Sequence, residues 1–507
     1  MELVLPKIVQ IPCHNENRCT FLFQSGKWST ILLDVESSQN PFDYEVAILG
    51  GGSAGYAAAR TAANAGLKTV VIEGGQEVGG LCILRGCMPS KALLYAAEVT
   101  HMAARAGLWG IEVKEVAVDF IKVMARKNAL IQEFADERQQ QLANGKFHFI
   151  RAQARFTGPH TLALDSGKIL RSRNFIVCTG SLVAPSPLPE LEEAGYVDSD
   201  KALALAKLPK SLIVLGGGAV GVEFAQFFGR FGVEVTLVQR SLHVLNEMDT
   251  DAAYELEKVF RREGMKVFTN TTLCGARRGT GDPTGNYKAV RFRYEEGEVE
   301  ITAEEIFFAL GRIPNIGSLG LEKAGVATES GGIITNSRMQ TSAPHIYSAG
   351  DCTGPHEIVH IAVQQGEVAA HNIGHPEKPL EMDYRLITEV VFTDPQIATA
   401  GLTEKRALAK NIPYLAASYP FKEHGKSLIM EARDGFVKLL ADPASGEILG
   451  GCCMGPSGGE LIHEIIAAMS KRMTAHELAV MPHYHPTLAE IWTYPAEQLT
   501  EQIRARV

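Results

Sequence analysis

The 507-residue chain has no apolar run approaching the roughly 18 residues that a membrane-spanning helix needs. Its start, MELVLPKIVQIPCHNENRC, has neither the basic stretch nor the long apolar core of an export signal, so a soluble cytoplasmic protein with no membrane partner is expected. Positive charge is also short: 49 Lys and Arg against 58 Asp and Glu leave −9. That balance counts against nucleic acid as a partner, because phosphate arrays need clustered cations. Cysteine is scarce and odd in number, nine in all, which argues against a structural disulfide framework and for reduced thiols. Two cysteines that stand close together therefore suggest redox chemistry. Glycine is plentiful at 49 residues but shows no period, which excludes collagen-like and low-complexity chains and points to turns. At roughly 150 residues per domain, the length predicts about three domains.

The apolar run YEVAIL after Asp43 reads as a buried strand that breaks into Gly50, Gly52 and Gly55. A helical pattern, YAAARTAANAG, follows, and a second run, KTVVIE, ends on Glu73. Strand, glycine turn, helix, strand and acid make up the grammar of a dinucleotide fold. The glycines permit a tight turn and bring backbone N–H groups to a pyrophosphate at a helix N-terminus, where the dipole favours negative charge. The same grammar recurs in SLIVLGGGAVGVEFAQFFGRFGVEVTLVQR, with Gly216, Gly218 and Gly221 opening the helix and Gln239 at the strand end. Two such units predict two nucleotides.

Directly after the first unit, GGLCILRGCMPSKALL sets Cys82 and Cys87 beside a predicted helix start. Helix N-termini lower thiol pKa, and two neighbouring cysteines can cycle between disulfide and dithiol. The alternative is half of a zinc site, but zinc pairs are usually spaced CxxC and no second pair matches them. Residues 386–507 change character, with strand-like VVFTDPQIATAG and GFVKLLAD before the helical GELIHEIIAAMSKRM. Cys452 and Cys453 lie in an apolar strand, where neighbours face opposite ways, so packing is expected of both. Within residues 1–40, TFLFQSGKWSTILLDV reads as a hairpin turning at Ser25 and Gly26.

The cysteine segment resembles GGTCLNxGCxPSKALL of the flavin-dependent pyridine nucleotide-disulfide oxidoreductases, above all their dihydrolipoamide dehydrogenase branch. Further motifs follow in family order: CTGS at Cys178–Ser181, ALGRIPN at Ala309–Asn315, AGDC at Ala349–Cys352 and HYHPTLAE around His485. The resemblance spans about residues 43–500. It implies an α/β flavoprotein oxidoreductase with two Rossmann-like domains, for FAD and NAD(P), and a C-terminal α+β dimerisation domain. The implied boundaries are 1–40 for an extension of unassigned role, 41–187 with 313–385 for FAD, 188–312 for NAD(P) and 386–507 for the homodimer interface.

By this resemblance Cys87 faces the flavin and Cys82 exchanges with a disulfide or dithiol substrate. Lys91 sits beside the flavin, paired with Glu223. Gly80, Ala152, Thr179, Gly180, Ser181, Gly311 and Asp351 join the cofactor-binding set, Asp351 at the ribityl chain. His485 precedes Pro486, a residue favoured at the first position of a helix, which would set Glu490 about one turn along to orient the imidazole. A histidine so held suits general acid and base work on thiols. In the family this dyad is supplied by the other subunit. His483 is assigned to packing.

Two departures bear on specificity. Leu84 and Arg85 stand between the cysteines where relatives carry Asn and a small apolar residue, and Arg85 predicts a more acidic Cys82 and an anionic disulfide. Gln239 and Arg240 replace the acid that NAD-preferring relatives place on the ribose, which leans the choice toward NADPH. Two other readings remain at this stage. Mercuric ion reductase shares the fold, but its extra tail cysteines are absent from EQIRARV. A redox sensor or complex subunit acting by docking through the first 40 residues is the other.

Overall fold

YEVAIL forms the strand Tyr44–Leu49, whose last four residues are fully buried. In the computed structural model, which describes residues 19–22, 28–31, 41–279 and 287–506, this strand lies at the centre of a seven-stranded sheet. Thr69–Glu73 and Ile169–Val177 flank it in parallel, and His148–Arg151 and Ile346–Ser348 extend the parallel part. Continuous apolar runs suit this place because helices cover both faces of a parallel sheet. The helix Ser53–Asn64 buries mostly alanine. Its thin surface lets the helix Val359–Gly374 approach until a Cβ on Gly366 would lie 2.4 Å from the carbonyl oxygen of Ala54. Residues far apart in sequence thereby join one nucleotide unit.

The second unit is a five-stranded parallel sheet in the order Val197–Asp198, Glu305–Phe308, Ser211–Leu215, Glu234–Val238, Lys266–Phe268. A core of Val222, Phe224, Phe227, Phe228 and Phe307 backs it. Residues 386 onward build a five-stranded antiparallel sheet, and Ile462, Ile465 and Trp492 pack into its core. No helix among the described residues is long and apolar enough to cross a membrane.

Two expectations change in detail, and the hairpin expectation holds for its strands. VVFTDPQIATAG is two antiparallel strands, Thr388–Val391 and Gln396–Gly401, and the chain reverses between them in the segment that holds the cis Asp394–Pro395 peptide. Pro486 does not open a helix: the His485–Pro486 peptide is cis and lies in an irregular segment, while Glu490 stands in the short 3-10 turn Ala489–Trp492. The N-terminal hairpin pairs Cys19–Leu22 with Trp28–Ile31, and its turn at Ser25 and Gly26 lies outside the described residues.

Candidate active site

The two glycine turns are close geometric copies. Gly50 and Gly216 have φ of +105° and +103°, a region that side chains disfavour. A Cβ on Gly55 would lie 1.8 Å from the Gly50 oxygen, and one on Gly221 would lie 1.9 Å from the Gly216 oxygen. Only glycine lets each helix start against its strand this closely. Gly52 and Gly218 sit at the N-caps without side-chain caps, which leaves the N-terminal amides for an anion. Glu73 Oε2 accepts from Gly51 N at 2.7 Å, and Gln239 Oε1 accepts from Gly217 N at 2.9 Å. Arg240 is exposed.

A groove of about 400 Å³ opens along the first turn. It is lined by Gly50, Gly52, Glu73, Gly80, Ala152, Thr179, Gly180, Ser181 and Asp351 together with both Cys82 and Cys87. Gly55 is buried in the helix beneath it. Ser181 Oγ donates to Asp351 Oδ2 at 2.7 Å, and Arg312 Nε donates to Ser181 Oγ at 2.8 Å. Gly311 lies at the edge of this array, its carbonyl accepting from Ala184 N at 3.0 Å. Thr179 Oγ1 is buried without a partner among the described residues. A buried hydroxyl without a partner is costly unless a ligand completes it. A polar, glycine-floored groove that ends at two thiols fits a flavin dinucleotide.

Cys82 lies in the short helix Gly80–Arg85, and Cys87 begins the helix Cys87–Ala104. Cys87 is lowered to about 7, chiefly by a hydrogen bond from Cys82 and, against burial, by the Lys91 ammonium. Cys82 is held well above the ordinary thiol range by that same bond and by burial. The pair is thus poised with Cys87 as thiolate and Cys82 as thiol. Lys91 Nζ donates to Glu223 Oε2 at 2.8 Å and Oε1 at 3.0 Å, which ties the redox helix to the second nucleotide unit.

Arg85 corrects the expectation of an acidic Cys82. Its guanidinium donates to Glu77 Oε2 at 2.7 Å and lies 4.0 Å from Asp200, so its charge is spent away from the thiol. Cys452 and Cys453 are buried on opposite faces of one strand, in two different cores, as their alternation predicts. Burial pushes Cys452 up to about 12.

His485 Nδ1 lies 2.9 Å from Glu490 Oε2, so the dyad forms although the helix expected to arrange it does not. The imidazole is 78% exposed, and no described residue beyond Ala362 lines the groove holding the cysteines. His483 is buried against Glu464 at 2.6 Å. Sequence reasoning missed Phe392, whose N–H donates to Glu223 Oε1 at 2.9 Å and whose ring lies 4.6 Å from Lys91 Nζ. It also missed Gln365, which accepts from Gly350 N at 2.7 Å beside Asp351. Neither residue carries a local motif; only the fold brings them in.

Residues 44–366 match the family model described as pyridine nucleotide-disulphide oxidoreductase, and 387–496 match the dimerisation domain of the same family. A dihydrolipoyl dehydrogenase of Bacillus subtilis is 34% identical over 463 residues, covering 88% of this chain and 96% of that protein. One from Thermus scotoductus is 35% identical over 462 residues, covering 90% and 98%. Among solved structures, LpdA from Mycobacterium tuberculosis superposes with a TM-score of 0.79 at 28% identity over 90% of this chain and 99% of that one. The HOCl-induced flavoprotein disulfide reductase RclA from Escherichia coli gives 0.78 at 25% identity, with the same coverages. With two family models on adjoining segments and relatives matched almost end to end, the chain belongs to the pyridine nucleotide-disulphide oxidoreductases, as a flavoprotein of the dihydrolipoyl dehydrogenase type.

Proposed function

We propose that the chain works as a homodimer that passes electrons between NAD(P)H, FAD, the Cys82–Cys87 pair and a small dithiol or disulfide of the lipoamide kind. The observation that carries this reading is the asymmetric thiol pair, with Cys87 lowered and Cys82 raised, at the end of a dinucleotide groove. Residues 41–187 with 313–385 hold the flavin in this reading, 188–312 hold the nicotinamide nucleotide, and 386–507 form the subunit interface. NADPH is the proposed nucleotide, supported by Gln239 in place of an acid and by the exposed Arg240 beside it.

FAD, when bound, supplies two-electron exchange between nicotinamide and thiols. The chain supplies the proton and thiol chemistry. In the reducing direction, the substrate disulfide is attacked by Cys82 as a thiolate, its proton having gone to His485. One substrate sulfur becomes bonded to Cys82, and the other leaves with the proton returned by His485. Cys87 thiolate then attacks Cys82 Sγ, which closes the Cys82–Cys87 disulfide and expels the second substrate sulfur. Two electrons have moved from the protein dithiol to the substrate. Dithiol oxidation runs the same steps backward, with His485 as base. Glu490 accepts from Nδ1 and leaves Nε2 to handle the proton.

The exposure of His485 away from the cysteine groove supports a site completed between subunits. The test is His485→Ala, which is expected to lower dithiol–disulfide turnover about a hundred- to ten-thousandfold while flavin reduction by nicotinamide persists. Exchange of subunits between inactive Cys82→Ser and His485→Ala homodimers is expected to restore one working site per mixed dimer. Demonstrated exchange without recovered turnover would place the site within one chain.

A further inference from the structure

Glu490 serves a second histidine. His424 and Ser427 are both fully buried, and His424 Nδ1 lies 2.8 Å from Ser427 Oγ. His424 Nε2 has no well-aligned hydrogen-bond partner among the described residues. Glu490 Oε1 lies 3.3 Å away, on the carboxylate that takes His485 Nδ1 at 2.9 Å through Oε2, and the Thr487 backbone carbonyl is a second acceptor beside the ring. We infer that His424 is a positioning residue for the thiol chemistry, a buried neutral donor that holds the Glu490 carboxylate in place behind His485. The inference rests on His485 and Glu490 acting as the proton-handling dyad.

Burial lowers His424 below the ordinary histidine range, so its ring is neutral near pH 7 and carries one N–H. The titratable groups that face it are Glu490 and His485, and the Tyr494 ring lies 6.4 Å away. Were that N–H on Nδ1, the Nε2 lone pair would confront an anionic carboxylate oxygen with no proton between them. Ser427 Oγ–H can instead donate to Nδ1, which leaves the N–H on Nε2 facing Glu490. A carboxylate as buried as Glu490 is oriented more firmly by donors on both oxygens than by one. A neutral donor does this without a positive charge that would repel the imidazolium of His485.

The test uses the FAD-loaded dimer with dihydrolipoamide and lipoamide. His424→Leu removes the donor, whereas His424→Gln can place an amide N–H near the Nε2 position. Expected for His424→Leu is a kcat lowered about tenfold or more, with KM for the nicotinamide nucleotide and the rate of flavin reduction unchanged. The acid limb of the pH profile for dithiol oxidation should move up by about half a unit, because a carboxylate relieved of one donor holds the His485 proton more tightly. His424→Gln should recover most of the rate and the original limb. If His424→Leu keeps both rate and limb while His485→Ala is crippled, the inference is overturned and the dyad stands. If His424→Gln is as impaired as His424→Leu, His424 is packing and the inference is likewise overturned. If His485→Ala is fully active, the dyad reading fails and takes this one with it.

Discussion

Glu73 and Gln239 occupy the same station in two copies of one turn, each accepting from the amide of the middle glycine, at 2.7 Å and 2.9 Å. The acid in the first unit has lone pairs left for further donors, and Oε1 takes Gly75 N at 2.6 Å. The amide in the second unit brings N–H donors instead, one reaching His243 O at 3.3 Å. A ribose hydroxyl suits either group, but a 2′-phosphate is repelled only by the acid. The parent enzyme is therefore expected to show a higher kcat/KM with NADPH than with NADH. Gln239→Glu with Arg240→Ala should swing that ratio toward NADH by about tenfold or more, since an arginine fork on phosphate is lost and a repulsion gained. A parent that prefers NADH, or an unmoved ratio, removes these residues from the choice.

Cys87 is expected to give a long-wavelength charge-transfer band on two-electron reduction of the FAD-loaded protein. Cys87→Ser should abolish the band and Cys82→Ser retain it. The thiol is lowered to about 7 in the fold, so the band should be full on the alkaline side of that value and fade as pH falls through about 7. Since the Lys91 ammonium is one of the lowering causes, Lys91→Met should move the midpoint upward. Spectrophotometric titration of the reduced protein measures both, and a band surviving Cys87→Ser would reassign the thiols.

Arg85→Val should leave the pH profile of Cys82 alkylation where it is, because Glu77 and Asp200 already hold the guanidinium. Glu77→Gln is the sensitive change, since it frees Arg85 to act on neighbouring groups. A Cys82 profile that moves with Arg85→Val alone would mean that the arginine leaves its partners in solution.

Lys438 is 4% exposed and lies 2.9 Å from Asp249, itself 7% exposed, and 2.8 Å from both Asp251 and Glu404. Burial of an ammonium is tolerated here because three acids surround it. Lys438→Met is expected to destabilise the fold by about 3 kcal/mol, since Asp249 would be left buried without its cation. Chemical denaturation measures the loss, and a change below about 0.5 kcal/mol would mean that the amides of Glu404 and Lys405 satisfy Asp249 by themselves.

Both nucleotide turns were legible in the sequence because their chemistry is local. A positive-φ glycine, a helix start without a side-chain cap and a strand that ends in a polar side chain all fall within about thirty residues, and the backbone forces the rest. The redox pair was legible for the same reason, Cys82 and Cys87 lying on successive helices of one short segment. The pairing of Lys91 with Glu223 and the place of Asp351 came from the family resemblance, since nothing local connects them.

Tertiary structure alone decided where charges end. Arg85 reads as a cation beside a thiol, but its neighbours Glu77 and Asp200 come from outside the helix and neutralise it. His485 and Glu490 meet through an irregular segment rather than the helix that Pro486 suggested, so the contact was foreseeable and its cause was not. His424 carries no motif and stands sixty-six residues before Glu490 in the chain. It matters only because the dimerisation sheet and its terminal helices bury it against that carboxylate. The sequence sets which groups can bear a proton; burial and the partners that folding supplies decide which of them hold it.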